Sequence, residues 1–260
     1  MKDQPTFFDF AAEVGLTKHI GGVEATDSLV KLCHISKDSY VLDVGCGVGA
    51  TPCYLAKRYG CRVVGVDILE AMVARSLERA RKEKLLDRVD FKVADAQELP
   101  FEDGTFDAVI TESVTAFPED KQKAVDEYVR VTRLGGYVGL NEATWVKVPP
   151  PPELIAWASQ DLGANLKPLT GSDWTDLLKN AGLQVIVVKT YDVDVKDESK
   201  GILHRYGTGG MMRVLWRTLG LYLRSPDYRK FVKDIREHDI TPGNLKEYFG
   251  YGLFIGHKEA

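Results

Sequence analysis

The sequence predicts an α/β fold in which a mostly parallel sheet carries helices on both faces. Three observations lead there. Short, β-branched apolar runs without polar alternation recur along the chain, the pattern of strands covered on both sides. Amphipathic helical stretches separate them, and strand alternating with helix builds a parallel sheet. The first run, Tyr40 to Val44, passes into glycines at alternate positions, Gly45, Gly47 and Gly49, where missing side chains let backbone approach a ligand.

In chain order, a helix over Glu24 to Cys33 precedes the strand Tyr40 to Val44. The next helix has Pro52 in its first turn, where a missing N–H costs little, continues through Tyr54, Leu55 and Ala56, and ends at Gly60. Arg62 to Val66 form the second strand, and Leu69, Met72, Val73, Leu77 and Ala80 mark one face of a third helix. Strands follow at Val89 to Val93 and Phe106 to Thr111. Pro118 opens a helix carrying Ala124, Val125, Tyr128 and Val129 on one side, and Gly135-Gly136 leads into the strand Tyr137 to Asn141. Pro149 to Pro152 interrupt the rhythm. A helix around Asp173 to Asn180 stops at Gly182, Leu183 to Lys189 form the next strand, and Tyr251 to Gly256 the last. Too many residues lie between these two strands for a hairpin loop, so they form a helical insert. The expected organisation is an N-terminal helical arm over residues 1–38, a core of 39–190 and 250–260, and an insert or lid over 191–249.

A chain of 260 residues has room for one large domain with such an insert. No apolar run approaches the ~20 residues of a membrane span. The start, Met-Lys-Asp-Gln-Pro-Thr-Phe-Phe-Asp-Phe, lacks the uninterrupted apolar stretch of a secretory signal, so a cytoplasmic location is expected. Cys33, Cys46, Cys53 and Cys61 show no Cys-x-x-Cys pair and no histidines at metal spacing; they read as reduced thiols, and no metal site is expected. A net charge of -4 argues against a broad phosphate-binding surface and against a nucleic-acid partner.

The glycine loop alone is ambiguous. Gly45-x-Gly47-x-x-Ala50 also satisfies the dinucleotide fingerprint, with an acidic residue about twenty positions on at Asp67. Three features separate the two cofactor classes. Asp43 lies inside the strand before the first glycine, where a ligand ammonium can use a carboxylate. Asp95, in Val93-Ala94-Asp95-Ala96-Gln97-Glu98-Leu99-Pro100-Phe101, ends the third strand and can accept from an adenine amino group. Thr111-Glu112-Ser113-Val114 delivers polar side chains at the end of the fourth strand, and ligands of open α/β sheets sit at such carboxyl ends.

With these motifs, residues 38–142 resemble the class I S-adenosylmethionine-dependent methyltransferases. The resemblance implies a Rossmann-like, seven-stranded sheet ending in an antiparallel hairpin, and S-adenosyl-L-methionine as cofactor. It implies that Asp43 and the loop of Gly45, Cys46, Gly47 and Gly49 hold the methionine moiety, that Asp67 takes the ribose hydroxyls, and that Ile68 and Met72 flank the nucleoside. Asp95 and the Ala96 backbone then address the adenine, with Glu112 near the cofactor. Competing structural roles remain open: Asp67 as a helix cap and Asp95 as the start of a loop.

Methyl transfer from a sulfonium is an in-line displacement, so positioning and exclusion of water supply most of the catalysis. A base is needed only where the acceptor must lose a proton. His19, Glu112 and Glu142 are the candidates for that role, with structural or cofactor-orienting roles competing. Trp145, His204, Tyr206 and Trp216 are candidate pocket residues. Between Arg205 and Arg236 eight Lys or Arg stand against two Asp, and Met212, Leu215, Trp216, Leu219 and Leu223 share a helical face beside Arg213, Arg217 and Arg224. Either a lid helix buries this stripe on the sheet's edge, or the stripe lines an apolar acceptor pocket or touches a membrane surface. The layout loosely resembles the small-molecule branch of the family, including quinone and tocopherol C-methyltransferases. The absence of Asn-Pro-Pro-Tyr after the fourth strand argues against methylation of nucleic acid or protein glutamine. The expected partner is a small, partly apolar, lipid-like molecule, with membrane-surface contact through residues 205–236; a catalytically inactive cofactor-binding sensor and a nicotinamide-dependent oxidoreductase are the alternatives.

Overall fold

The computed structural model describes residues 6–17, 19–160, 166–193, 195–238 and 242–259, with only the backbone described at 160, 195–205 and 234–238. Its strands are β1 (Tyr40–Val44), β2 (Arg62–Asp67), β3 (Val89–Val93), β4 (Phe106–Glu112), β5 (Thr132–Trp145), β6 (Leu169–Thr170), β7 (Gln184–Asp192) and β8 (Phe249–His257). They form one sheet in the order β3-β2-β1-β4-β5-β8-β7, with β6 beside the end of β5. The first five strands pair in parallel, whereas β8 runs antiparallel to both β5 and β7. That antiparallel pair stands where a dinucleotide fold would place the rest of its second parallel half. The eighth strand, which the sequence pattern does not reveal, is the two-residue β6, too short to leave a periodic signal.

The helices are α1 (Phe7–Val14), α2 (Gly22–Leu32), α3 (Ala50–Tyr59), α4 (Glu70–Glu83), α5 (Lys121–Val131), α6 (Pro152–Gln160), α7 (Gly171–Asn180), α8 (Val195–Arg224), α9 (Pro226–His238) and α10 (Leu245–Tyr248). Strand alternation explains the two buried faces. Leu42, Val64 and Val109 point into a core with α5 and α7, while their neighbours Val41, Val63 and Ala108 point into a second core with α2 and α3. Pro118 does not open α5; Asp120 does, as an N-cap accepting from the Lys123 N–H at 2.9 Å.

The arm is tied to the sheet by a strand glycine. A Cβ at Gly139 of β5 would stand 2.6 Å from Cys33 Sγ and 3.1 Å from Leu29 Cδ2, so its absence is what lets α2 lie close on the sheet. All four cysteines are free and buried, and burial pushes the Cys33 and Cys53 thiols up to about 12. Among the described residues no helix is long and apolar enough to cross a membrane.

Among the described residues, helices α8 to α10 lie between β7 and β8. Gly207 breaks α8 with φ 64° and ψ 171°. Beyond that break the helix corrects the lid reading: Met212, Leu215, Trp216, Leu219 and Leu223, together with Tyr222, are exposed. Leu221, on the other side, is buried against Phe10 and Val14 of α1.

Gly139→Ala is expected to destabilise the fold by about 1–3 kcal/mol through overpacking. Adding Cys33→Ala should recover some of that loss in denaturant melts; equal stability of Gly139→Ala and the parent would refute the close-approach explanation.

Candidate active site

A cavity of about 320 Å³ opens at the carboxyl ends of β1, β2 and β4, lined by Asp43, Gly45, Cys46, Gly47, Asp67, Ile68, Met72, Asp95, Ala96 and Glu112. Its floor is the turn from β1 into α3. Gly45, Gly47 and Gly49 all have positive φ, at 72°, 54° and 72°, a region that favours glycine. The missing side chains make room for protein: a Cβ at Gly45 would meet Val114 at 2.2 Å, one at Gly47 Thr17 Oγ1 at 2.8 Å, and one at Gly49 Ser76 at 2.8 Å. Val114 and Thr17 themselves line the cavity, so the glycines draw its walls together. Gly49 does not line it; it caps α3.

Four carboxylates line the cavity, Asp43, Asp67, Asp95 and Glu112, and the first three stand at separate points along it. Asp43 is almost fully buried in β1. Asp67, at the end of β2, accepts from the Gly47 N–H at 2.9 Å through one oxygen and from the Leu69 N–H at 3.0 Å through the other. Burial nevertheless raises its pKa above the ordinary value, because desolvation outweighs the backbone N–H groups that favour its charge. The carboxylate therefore has both a loop-bracing role and lone pairs left for a ligand. Asp95 accepts from the Gln97 N–H at 2.8 Å, an Asx turn, so the loop reading of this residue holds alongside its place in the wall. Acceptors at three separated points suit a ligand offering an ammonium, a diol and an amino-substituted base, and S-adenosylmethionine offers all three.

Glu112 ends β4 and gathers three distant segments. Its oxygens accept from Thr26 Oγ1 of α2 at 2.8 Å and from Thr51 Oγ1 of α3 at 2.7 Å, and His19 Nε2 lies 3.4 Å away. His19 Nδ1 lies 3.2 Å from the Ile20 carbonyl and 3.4 Å from Asn141 Nδ2. The Ile20 N–H donates to Ser113 Oγ at 3.1 Å. His19 is thus seated in the wall by the core, and both His19 and Glu112 line the cavity.

Of the two roles open to Glu142, its surroundings favour the structural one over that of a base. It is fully buried and outside the wall; one oxygen accepts from the Val114 and Thr115 N–H groups at 3.0 and 2.8 Å and from Thr111 Oγ1 at 3.0 Å. Burial raises its pKa despite these donors. Its work is to shape the turn after β4, where Ser113 has φ 62°. Trp145 packs with Leu154 and Ala158, Trp216 is exposed, and neither lines the cavity. Tyr206 also stands outside, its hydroxyl accepting from the Thr17 N–H at 3.0 Å and donating to the Thr17 carbonyl at 2.7 Å. The His204 side chain lies outside the described residues.

The wall also holds residues the motifs did not flag, Phe8, Thr17, Thr51 and Phe117 among them. Phe8 of α1 meets Phe117 edge to face at 5.4 Å, an aromatic contact between the arm and the core. Apolar residues in the arm carry no signal distinguishing a cavity wall from ordinary packing.

Glu142→Ala, which leaves the Val114, Thr115 and Ala116 N–H groups without their acceptor, is expected to cost at least about 2 kcal/mol in denaturant stability. Glu142→Gln keeps an acceptor of the same shape and should cost clearly less. Equal losses would refute the carboxyl group's role in holding this turn.

Comparison with known proteins agrees with this geometry. Residues 42–140 match the family described as a methyltransferase domain. An uncharacterised protein of Haemophilus influenzae is 30% identical over 210 residues, 80% of this chain and 83% of that one. A phosphoethanolamine N-methyltransferase of Triticum aestivum is 29% identical over 92% of this chain, which spans only 45% of that enzyme. The solved Haemonchus contortus phosphoethanolamine N-methyltransferase 2, in complex with S-adenosyl-L-methionine, shares the fold with a TM-score of 0.69 at 22% identity, over 100% of this chain and 59% of that one. Strand order, a glycine turn between β1 and α3 and acids at the strand ends coincide with the matched region, and the chain belongs to the class I S-adenosylmethionine-dependent methyltransferases.

Proposed function

We propose that this protein transfers a methyl group from S-adenosylmethionine to a small, partly apolar acceptor. The observation that carries the reading is the set of three carboxylates, Asp43, Asp67 and Asp95, along one cavity at the carboxyl edge of the sheet. In this reading Asp43 receives the amino group of the methionine moiety, Asp67 the ribose hydroxyls, and Asp95 with the Ala96 backbone the adenine. Ile68 and Met72 flank the nucleoside. The bound cofactor supplies an electrophilic methyl group on a sulfonium.

The chain's own contribution is orientation and dryness. Phe8, Val114, Phe117 and Pro118 give this side of the wall an apolar character, which supports a partly apolar acceptor. Where that acceptor must lose a proton, His19 is the candidate in the wall; its Nδ1 faces the Ile20 carbonyl and Asn141 and its Nε2 faces Glu112 and Thr26, so taking the proton requires one of these contacts to open. Glu112, already accepting from two threonines, is the residue that positions it. Relatives named as phosphoethanolamine N-methyltransferases support a small-molecule acceptor, and four free, buried thiols support a reducing, cytoplasmic setting.

Titration calorimetry with S-adenosylmethionine, S-adenosylhomocysteine and NADH tests the reading. The first two should bind; heat from NADH alone would overturn it. Asp67→Ala should weaken S-adenosylmethionine binding by about 1–3 kcal/mol, roughly five- to 150-fold, and unchanged affinity would refute the ribose assignment.

The raised pKa of Asp67 fixes the sign of a pH effect. The ionised form is the better acceptor for ribose hydroxyls, and it is lost as pH falls. Affinity should therefore be full above the raised pKa and decline on acidification at a pH above the ~3.9 of a free aspartate. In Asp67→Asn this step should vanish from calorimetric titrations across pH; its persistence would assign the effect to another group.

A further inference from the structure

We propose that the outward face of α8 beyond Gly207 is a docking surface for an anionic lipid bilayer. Met212, Leu215, Trp216, Leu219, Tyr222 and Leu223 lie along this face at i, i+3, i+4 and i+7 spacings and are between 44% and 70% exposed. A single row of six large apolar side chains, one of them tryptophan, is the pattern of a helix that lies in a membrane interface rather than of scattered surface residues. The opposite side is already occupied. Leu221 is buried with Phe10 and Val14, and Arg217 pairs with Glu78 at 3.2 Å.

Charge selects the occupant. Residues 206–233 carry six Lys or Arg against Asp227 alone, in a chain whose net charge is -4. Arg213 and Arg224, both exposed, sit on the same helix as the stripe. Arg229 of α9 donates to the Tyr222 and Leu223 carbonyls at 2.8 and 3.2 Å, which holds another guanidinium at the stripe's end. A second copy of this face would bring cations against cations. Anionic headgroups complement it.

The same helix is joined to the cavity. Phe10 of α1 packs against Tyr228 and Phe231 of α9 at 5.0 and 4.7 Å, while Phe8, two residues earlier, lines the cavity. The Tyr206 hydroxyl holds both backbone groups of Thr17, another wall residue. Docking through α8 therefore sets the cavity's arm at the lipid surface, where a partly apolar acceptor is collected. What enters the cavity rests on the methyl-transfer reading; the docking does not, and it is tested without turnover.

The test is co-sedimentation of the full chain with phosphatidylcholine vesicles, with and without phosphatidylglycerol. The protein should pellet with the anionic vesicles, and the pelleted fraction should fall as salt is raised. The variant Leu215→Ser/Trp216→Ser/Leu219→Ser should lose at least about tenfold in vesicle affinity while keeping the parent's S-adenosylmethionine affinity by calorimetry. Arg213→Glu/Arg224→Glu should weaken binding and flatten its salt dependence. Parent protein left in the supernatant, or a triple variant that pellets like the parent, would overturn the proposal. So would light scattering that shows a parent dimer dispersed to monomer by the triple variant, since the face would then belong to a second copy.

Discussion

The buried carboxylate of Glu112 is the interaction on which the arrangement of the site depends. It ends β4, yet its partners come from the arm, from α2 and from α3. A charge withdrawn from water needs such donors, because burial without them costs several kcal/mol. Meeting that need draws Thr26, Thr51 and His19 to one point, and so fixes where the arm crosses the sheet. The arm's other wall residues, Phe8 and Thr17, depend on that crossing.

Glu142, on the neighbouring strand β5, acts in a similar way. Its carboxylate collects the N–H groups of the turn after β4, and Val114 of that turn fills the space over Gly45. The cavity is thus shaped from outside by two buried acids, one in its wall and one behind it. Loop glycines, turn and arm form a closed chain of contacts, so a change at any of them is transmitted to the cavity's width.

Much of this was legible in the sequence where the signal is local. The Tyr40 to Val44 strand, the glycine turn and Asp67 lie within one β-α-β unit, whose spacing is set by backbone geometry. Asp95 carried two readings because an Asx turn and a wall carboxylate have the same sequence signature, and the structure contains both. A position near a strand end does not say which way a side chain points, so the sequence leaves Glu142 between a base and a structural role and counts Trp145 among the pocket candidates. The α8 stripe was located correctly, but periodicity cannot tell which face finds a neighbour. Burial went to the side holding Leu221, where α1 supplies Phe10 and Val14.

The sheet edge and the N-terminal arm build the cofactor cavity jointly. Amide hydrogen exchange with and without S-adenosylhomocysteine tests it most directly. Exchange should slow both in the core segments 44–49, 67–72 and 94–97 and in the arm over residues 8–20. Protection in none of these segments, or in the core segments with the arm unchanged, would contradict it.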